Sequence, residues 1–256
     1  MKQIFYVCIV ALLFSACSTA KYKQVTYFND LIDSGTVVQR IENYNPLKIQ
    51  KDDILAITVS SLNTEASAIF NMGNTSSTLG NVNSNSTSAN GFTVNLNGEI
   101  QLPLIGSMKI AGLTTEEARL LIQKTLLNFL KEPVVSLRIV NFKISVLGDV
   151  VKPGVYPVNS ERVSVIDALG FAGDLNITAI RKNVLLIREI NGERKMVRLN
   201  LNSKELFNSP YFYLQNNDAL YVQPGDAKYA SVDTRYRNIS IGLSVLSIVL
   251  VVISRL

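Results

Sequence analysis

The sequence contains no histidine and no tryptophan, and its two cysteines, Cys8 and Cys17, both lie near the N-terminus. Histidine is the commonest general base and the commonest metal ligand, so its absence excludes Ser-His-Asp and Cys-His catalytic sites. Because no cysteine follows residue 17, the body of the chain has no disulfide, no thiolate nucleophile and no cysteine-based metal site. Carboxylate chemistry is the catalytic class that these absences leave open.

Charge is also sparse and evenly spread. The net charge is +5 over 256 residues, and no run of five or six like charges occurs. A weak and scattered positive charge does not predict nucleic-acid binding. Hydrophobic residues make up 47% of the chain, which predicts folded structure, and the length allows one large domain or two small ones.

The N-terminus has the pattern of a secretory signal. Lys2 supplies the positive charge, and the apolar stretch from Ile4 to Phe14 is about 11 residues long, too short to cross a bilayer. The segment Phe14-Ser15-Ala16-Cys17 resembles a bacterial lipobox, in which the cysteine is acylated and becomes the mature N-terminus. An ordinary signal peptide with an incidental cysteine is the alternative. We predict a signal peptide at 1–16 and lipid attachment at Cys17.

A second apolar segment lies at the C-terminus. Residues 239–253 contain no charged side chain and are flanked by Arg235, Arg237 and Arg255. A helix over residues 239–254 would be about 24 Å long, which suits the thin bacterial outer membrane better than a typical bilayer. A buried core helix is the alternative, but the basic flanks favour a transmembrane helix at 231–256.

Four serines fall on one narrow stripe of this helix: Ser240, Ser244, Ser247 and Ser254. Such a stripe has two physical uses. Small residues let helices pack closely in lipid, or a ring of helices turns the stripe toward a water-filled lumen. The serines are therefore predicted to line a pore or to mediate helix packing, and both uses imply self-association.

Strands and helices are interspersed between the two ends. Strands are predicted at 48–60, 134–140, 142–147, 155–158, 183–188, 195–199 and 219–222, and helices at 114–130 and 164–171. A hairpin across Asn97-Gly98 is predicted within 92–105. The helix at 114–130 is predicted to begin with a capping box between Thr114 and Glu117. Its predicted apolar face consists of Ala118, Leu121, Ile122, Leu126 and Phe129. Residues 71–91 are rich in Asn and Ser and predict a long loop. The pattern is typical of an α+β fold.

Several segments, in order, resemble the Wza-type outer-membrane polysaccharide export proteins. The matching segments are Asp53–Val59, Gly98–Gly106, Gly112–Ala118, Glu132–Val135, Leu147–Tyr156 and Ile166–Leu175. The first four resemble the family's export domain. The last two resemble the start of a soluble-ligand-binding β-grasp (SLBB) domain.

The resemblance implies an α+β fold with a small mixed-sheet export domain, a β-grasp (SLBB) domain and one C-terminal transmembrane helix. The predicted boundaries are 17–45 for the anchor and tether, 46–140 for the export domain, 141–230 for the SLBB domain and 231–256 for the helix. It also implies an oligomeric conduit for capsular polysaccharide or exopolysaccharide, typically an octameric ring whose C-terminal helices form the outer-membrane pore. The body would lie in the periplasm, an inner-membrane copolymerase or chain-length regulator would be the upstream partner, and translocation would be passive.

The resemblance implies no enzymatic activity, no cofactor and no metal. This sequence carries one copy of the β-grasp signature where larger relatives carry two, and its serine stripe is thin, which suggests a smaller or closed pore. A lipid-anchored periplasmic glycan-binding protein without a pore, a glycan hydrolase and a periplasmic scaffold are the alternatives. Among the polar residues, Asp52-Asp53 predicts a turn at a strand entry, and Asp149 and Lys152 predict a solvated turn.

Overall fold

The computed structural model describes residues 25–31, 35–41, 46–74, 90–190, 192–232 and 234–255. Their buried apolar side chains form two clusters. One cluster draws on residues 49–137, and the other on Leu47 and residues 142–222. Ile139, on the last strand of the first half, packs against both clusters. The chain therefore has two cores that meet at the junction near residue 140.

A three-stranded sheet and a two-stranded sheet form the first domain. The strands are β1 (Ile54–Ser60), β2 (Phe92–Thr93), β3 (Glu99–Leu102), β4 (Gly106–Lys109) and β5 (Val134–Ile139). The first sheet has the order β2-β1-β5 and the second pairs β3 with β4. Alternate side chains of β1 are buried, Leu55, Ile57 and Val59, because one face of the sheet covers the core.

Every strand pairing in this domain is antiparallel, so the predicted mixed sheet is wrong there. The long helix α2 (Thr115–Leu126) connects β4 to β5, and these strands lie in different sheets. A crossover gives a parallel pair only when it joins strands of one sheet. The helix therefore packs over the core without adding a parallel strand.

The hairpin is displaced from its predicted turn. Residues 95–98 do form a tight turn, in which Gly98 N donates to Asn95 O at 2.8 Å and the Asn95 side chain accepts from Glu99 N. The hydrogen-bonded hairpin is instead β3–β4, which turns over residues 103–105 with Leu104 at a φ of 61°. Asn97-Gly98 turns the chain between β2 and β3, which belong to separate sheets.

Helix α2 begins as predicted with a capping box. The Thr114 hydroxyl accepts from Glu117 N, and the Glu117 carboxylate accepts from Thr114 N at 2.8 Å. Ala118, Ile122 and Leu126 are buried as expected, whereas the predicted core residues Leu121 and Phe129 are exposed. The helix ends at Leu126, so Phe129 lies beyond the helical face. A short helix, α1 (Thr64–Ala68), and a 3-10 turn (Ile69–Asn74) were not predicted. The turn includes the first residues of the loop predicted at 71–91, and residues 75–89 of that loop lie outside the described residues.

The second domain contains the mixed sheet. Its strands are β6 (Lys143–Gly148), β7 (Gly154–Pro157), β8 (Val184–Ile190), β9 (Glu193–Leu199) and β10 (Ala219–Val222), in the order β7-β6-β10-β8-β9. Strand β10 is parallel to β6 and antiparallel to β8. Helix α3 (Val165–Phe171) carries a second capping box, between Ser164 and Asp167. Short 3-10 turns lie at Arg181–Asn183 and Lys204–Asn208. The strands and the helix predicted for this half are confirmed.

Two helices end the chain, α4 (Asp226–Val232) and α5 (Thr234–Arg255). The apolar side chains that the structure describes on α5 are exposed, from Ile239 to Val252. In the part of the chain that the structure describes, no helix is both long enough and apolar enough to cross a membrane. The prediction of a helix at the C-terminus is confirmed, and its assignment as transmembrane is not supported.

A buried ion pair fixes the centre of the second domain. Arg188 contacts Asp218 through two nitrogens, at 2.9 and 2.6 Å, and both side chains are at most 7% exposed. Arg188 also donates to Tyr213 O at 3.0 Å, and Gln215 N donates to Asp218 at 2.7 Å. Several hydrogen bonds therefore offset part of the desolvation cost, although burial still raises the pKa of the Asp218 carboxyl above its ordinary value.

Removing one partner of this pair should be strongly destabilising. We expect Asp218→Ala to lower the free energy of unfolding by about 3–5 kcal/mol, because Arg188 is left buried and unpaired. Glu189→Ala, which removes the exposed Arg194–Glu189 pair, is the control and should cost less than about 1 kcal/mol. Urea unfolding followed by circular dichroism measures both, and equal losses would contradict the argument.

Candidate functional site

The two domains are joined by buried hydrogen bonds around Asp53. Its carboxylate accepts from Gln50 N at 2.7 Å and from the Asn216 side chain at 2.6 Å. Asn216 in turn accepts from Lys143 N at 3.0 Å, at the start of β6. Burial raises the pKa of the Asp53 carboxyl above its ordinary value, while the two hydrogen bonds oppose that rise. Asp53 does end a strand-entry turn, as predicted, and it also links the two domains.

A second polar contact crosses the same junction. The Thr115 hydroxyl, at the start of α2, donates to the Glu161 carboxylate at 3.0 Å. The linker residue Asn141 accepts from Ile54 N and donates to Asp52 O, both at 2.9 Å. The relative placement of the two domains is thus set by hydrogen bonds at more than one point.

A polar cleft of about 930 Å³ opens between the domains. The first domain lines it with Lys48, Lys51 and Lys109, and the tip of the β8–β9 hairpin lines it with Glu189, Glu193 and Arg194. Arg194 is paired with Glu189 at 2.5 Å, and Lys109 donates to Asn97 O at 2.7 Å. Since the described lining residues include six charged side chains and no aromatic ring, the cleft suits hydroxyl or carboxylate groups rather than stacked sugar rings.

The outer face of the five-stranded sheet is apolar. The strand register places Val155, Ser145, Ala219, Ile187 and Met196 in one row across all five strands. A second row contains Leu147, Tyr221, Leu185 and Arg198. The opposite face of the same strands covers the core. A contiguous apolar surface that faces solvent is typical of a protein–protein contact.

Asp149 fastens helix α4 to the second domain. Its side chain accepts from Thr178 Oγ1 at 2.5 Å and from Asn176 Nδ2 at 2.8 Å, and it forms an ion pair with Lys228 of α4. Burial opposes ionisation, but the hydrogen bonds from Lys228, Thr178 and Asn176 outweigh it and hold the pKa of Asp149 below its ordinary value. The predicted solvated turn is therefore wrong for Asp149, which is fully buried. Lys152 is exposed, as predicted.

The predicted site residues fall in two places. Cys17 lies outside the described residues. Ser240, Ser244 and Ser247 lie exposed on α5, and Ser254 belongs to the same helix. The Ser244 hydroxyl donates to Ser240 O and the Ser247 hydroxyl to Ser244 O, both at 2.8 Å. These bonds within the helix satisfy the Ser244 and Ser247 hydroxyls, and no contact with a neighbouring chain is needed for that. Lumen lining and helix packing therefore both remain predictions.

Sequence reasoning did not identify Asn216 or Lys228. An asparagine in a polar loop and a lysine near a helix end are common surface residues, and no local pattern distinguishes them. Within the described part of the chain, no group of three or more acidic or cysteine side chains is placed to hold a metal ion.

Two family models match the chain one after the other. Residues 42–140 match the polysaccharide biosynthesis/export protein family, and residues 142–222 match the SLBB domain. These matches meet at the junction between the two hydrophobic clusters.

Two relatives share part of the sequence. The EPS I polysaccharide export outer membrane protein EpsA of Ralstonia solanacearum is 33% identical over 91 residues, which are 34% of this chain and 24% of that protein. The protein of the same name from Ralstonia nicotianae is 32% identical over 94 residues, or 36% of this chain and 25% of that protein. The matched region thus spans about a quarter of the length of these relatives.

Because Asn216 bridges the two domains, removing its side chain should lower the free energy of unfolding. Asn216→Ala removes the side-chain donor to the buried Asp53 carboxylate and the acceptor for Lys143 N, so we expect unfolding to become easier by about 2–3 kcal/mol. Asn208→Ala, at an exposed asparagine, should change stability by less than about 0.5 kcal/mol. Equilibrium urea denaturation compares the two variants, and a neutral Asn216→Ala would show that the junction is not needed for stability.

The contribution of the Asp149–Lys228 ion pair to the stability of the fold should depend on pH. The pKa of Asp149 is lowered in the folded protein from an ordinary value of 3.8, so its ion pair stabilises the fold above pH 3.8 and loses that effect as the pH falls through the lowered pKa. The stability difference between the unmodified protein and Asp149→Asn should therefore be constant near neutral pH and shrink below pH 3.8. Urea unfolding at a series of pH values measures it. A difference that does not change with pH would argue against the ion pair.

Proposed function

The chain belongs to the polysaccharide biosynthesis/export protein family, and from that membership we propose that it is an outer-membrane lipoprotein that exports capsular polysaccharide or exopolysaccharide. The observation that carries the proposal is the order of the two matched domains, an export domain followed directly by an SLBB domain. Two relatives named as EPS I polysaccharide export outer membrane proteins support it. The chain is a component of the export apparatus and not an enzyme.

The conduit is a homo-oligomeric ring, with an octamer as the expected size. Two exposed apolar surfaces support self-association: the outer face of the five-stranded sheet, with Val155 and Met196 at its edges, and the side of α5 that carries Leu243 and Leu246. Neighbouring copies would cover both surfaces, because contiguous exposed apolar area favours association. The C-terminal helices would then lie side by side around the axis of the ring.

The serine stripe has its place in this ring. Ser240, Ser244 and Ser247 turn either toward the polymer path or toward the adjoining helix, where small side chains allow close approach. Translocation is passive for this protein, and polymerisation by an inner-membrane copolymerase or chain-length regulator supplies the drive. Acylation of Cys17 holds each copy in the outer membrane, with the body in the periplasm.

A glycan-binding protein without a pore is the second candidate function. The polar cleft between the domains favours it, because Lys48, Lys51 and Lys109 line a space of about 930 Å³. Positively charged side chains at that position suit an acidic polysaccharide. A conduit needs the C-terminal helix, whereas a glycan-binding protein does not.

The deciding experiment compares the full lipidated chain with a variant that lacks residues 239–256. For the full chain in mild detergent, we expect native mass spectrometry and negative-stain images to show a closed ring of roughly eight subunits, since homo-oligomers usually close with point-group symmetry. The truncated variant should give smaller assemblies and should stop polymer export in cells. Val249→Leu, which lies on the opposite side of α5 from the serine stripe and keeps the helix apolar and of the same length, is the matched control.

Either of two results would contradict the proposal that the protein forms a conduit. One is a full chain that stays monomeric over a range of detergents and protein concentrations. The other is a truncated variant that exports polymer at the normal rate. If the truncated variant still binds glycan, and neither it nor the full chain is needed for export, the glycan-binding function is favoured.

A further inference from the structure

One loop of the second domain contacts both the N-terminal segment and the residues that lead into the C-terminal helices. This loop, residues 174–181, connects α3 to the strand β8, and we call it the bracket loop. On one side, the Tyr27 hydroxyl donates to the Asp174 carboxylate. The guanidinium of Arg181, a buried residue, lies 5.5 Å from the centre of the Tyr27 ring. The N-terminal segment is thus fixed at both ends of the bracket loop.

The N-terminal segment, residues 25–31, is attached at further points of the second domain. Phe28 N donates to Leu201 O at 3.1 Å and Asn29 N to Asn202 O at 2.9 Å. The Phe28 ring stacks on Phe207 with 4.6 Å between centroids. The Asp30 carboxylate accepts from Ser203 Oγ at 2.6 Å and from Lys204 N at 2.7 Å. The segment is therefore part of the second domain, although the matched SLBB region begins at residue 142.

The C-terminal segment meets the other side of the same loop. Gly225 N donates to Thr178 O at 2.8 Å, and Pro224 forms a β-bridge with Ala179. A side chain at Gly225 would lie 2.6 Å from Thr178 O, so only glycine allows this approach. Lys228 reaches Asp149, which also accepts from Thr178. The chain therefore leaves for α5 from the bracket loop.

Exposed apolar side chains lie on the bracket loop and on residues next to its contacts. Ile177, in the bracket loop, is 76% exposed, and Val151 is 54% exposed. Val151 N donates to Asp174 O at 3.0 Å, which places Val151 beside the loop. Tyr229, next to Lys228 on α4, is 61% exposed. Lys152 and Lys182 are exposed neighbours in sequence. Isoleucine, valine, tyrosine and lysine together suit the boundary between lipid headgroups and acyl chains.

We propose that this end of the second domain rests on the surface of a phospholipid bilayer, with Ile177, Val151 and Tyr229 entering the headgroup region. The inference rests on the proposed function through acylation of Cys17. Cys17 precedes Val25 by about eight residues, and covalent geometry limits that stretch to roughly 29 Å. The anchor thus keeps the bracket loop within reach of the membrane, and the exposed apolar side chains decide which side of the domain faces it. The contact does not require α5 to cross the bilayer.

Depth-dependent fluorescence quenching tests this contact on the full lipidated chain. Signal cleavage removes Cys8 and acylation blocks Cys17, so a new cysteine is the sole free thiol of the mature protein. One variant is Ile177→Cys, and the matched control is Leu96→Cys in the first domain, where Leu96 is 74% exposed. Each variant is labelled with an environment-sensitive dye and reconstituted into vesicles of phosphatidylethanolamine and phosphatidylglycerol that carry spin labels near the headgroup.

We expect the label at position 177 to lose most of its fluorescence and to shift to shorter wavelength, while the label at position 96 stays unquenched. A label at Val151→Cys should behave like the label at 177. Weak and equal quenching at 177 and 96, in protein that floats with the vesicles, would overturn this inference and leave the proposed function intact. Protein that does not float with the vesicles would overturn the membrane anchor and this contact together.

Discussion

The turn Gln215–Asp218 is the constraint on which the two-domain arrangement depends. Its Asp218 pairs with Arg188 inside the second domain at 2.6 Å, and its Asn216 bonds across the junction to Asp53 of the first domain at 2.6 Å. A buried carboxylate is costly unless it is paired or hydrogen-bonded, so both acids favour one geometry of this turn. Because the turn leads directly into β10, at the centre of the mixed sheet, the position of the first domain is tied to the core of the second.

Among the described residues, the first domain, the N-terminal segment and the start of the C-terminal helices are all attached to the second domain. The first domain joins it through Asp53 and Thr115, the N-terminal segment lies along it from Tyr27 to Asp30, and the C-terminal helices leave it from Gly225. The N-terminal segment and α4 are thus both attached to the same domain. The buried Asp149 contributes to this by fixing α4 through Lys228, so the direction in which the chain enters α5 is set by the domain.

The surfaces that remain exposed follow from this arrangement. Asp53 and Asn216 hold the domains together next to the charged cleft, whose lining includes Gln50, the backbone donor to Asp53, and Gln215, the neighbour of Asn216. The five-stranded sheet covers its core with one face, so Ile187 and Tyr221 lie on the opposite face, where Tyr221 is exposed. The charged cleft suits polar groups and the apolar sheet face suits another apolar surface, so the two surfaces differ in their binding chemistry.

The sequence by itself determined the local elements. Thr114 and Glu117 predicted the capping box of α2, and the β10 strand was placed correctly at 219–222, because capping and strand periodicity depend on neighbours within a few residues. It also carried the segments that resemble the export family. Tertiary structure decided what those elements contact. It separated β2 from β3 at Asn97-Gly98, buried Asp149 against Lys228 and placed Asn216 against Asp53 across 163 residues. Each of these outcomes depends on the burial of distant groups in a shared environment, which local sequence patterns do not reveal.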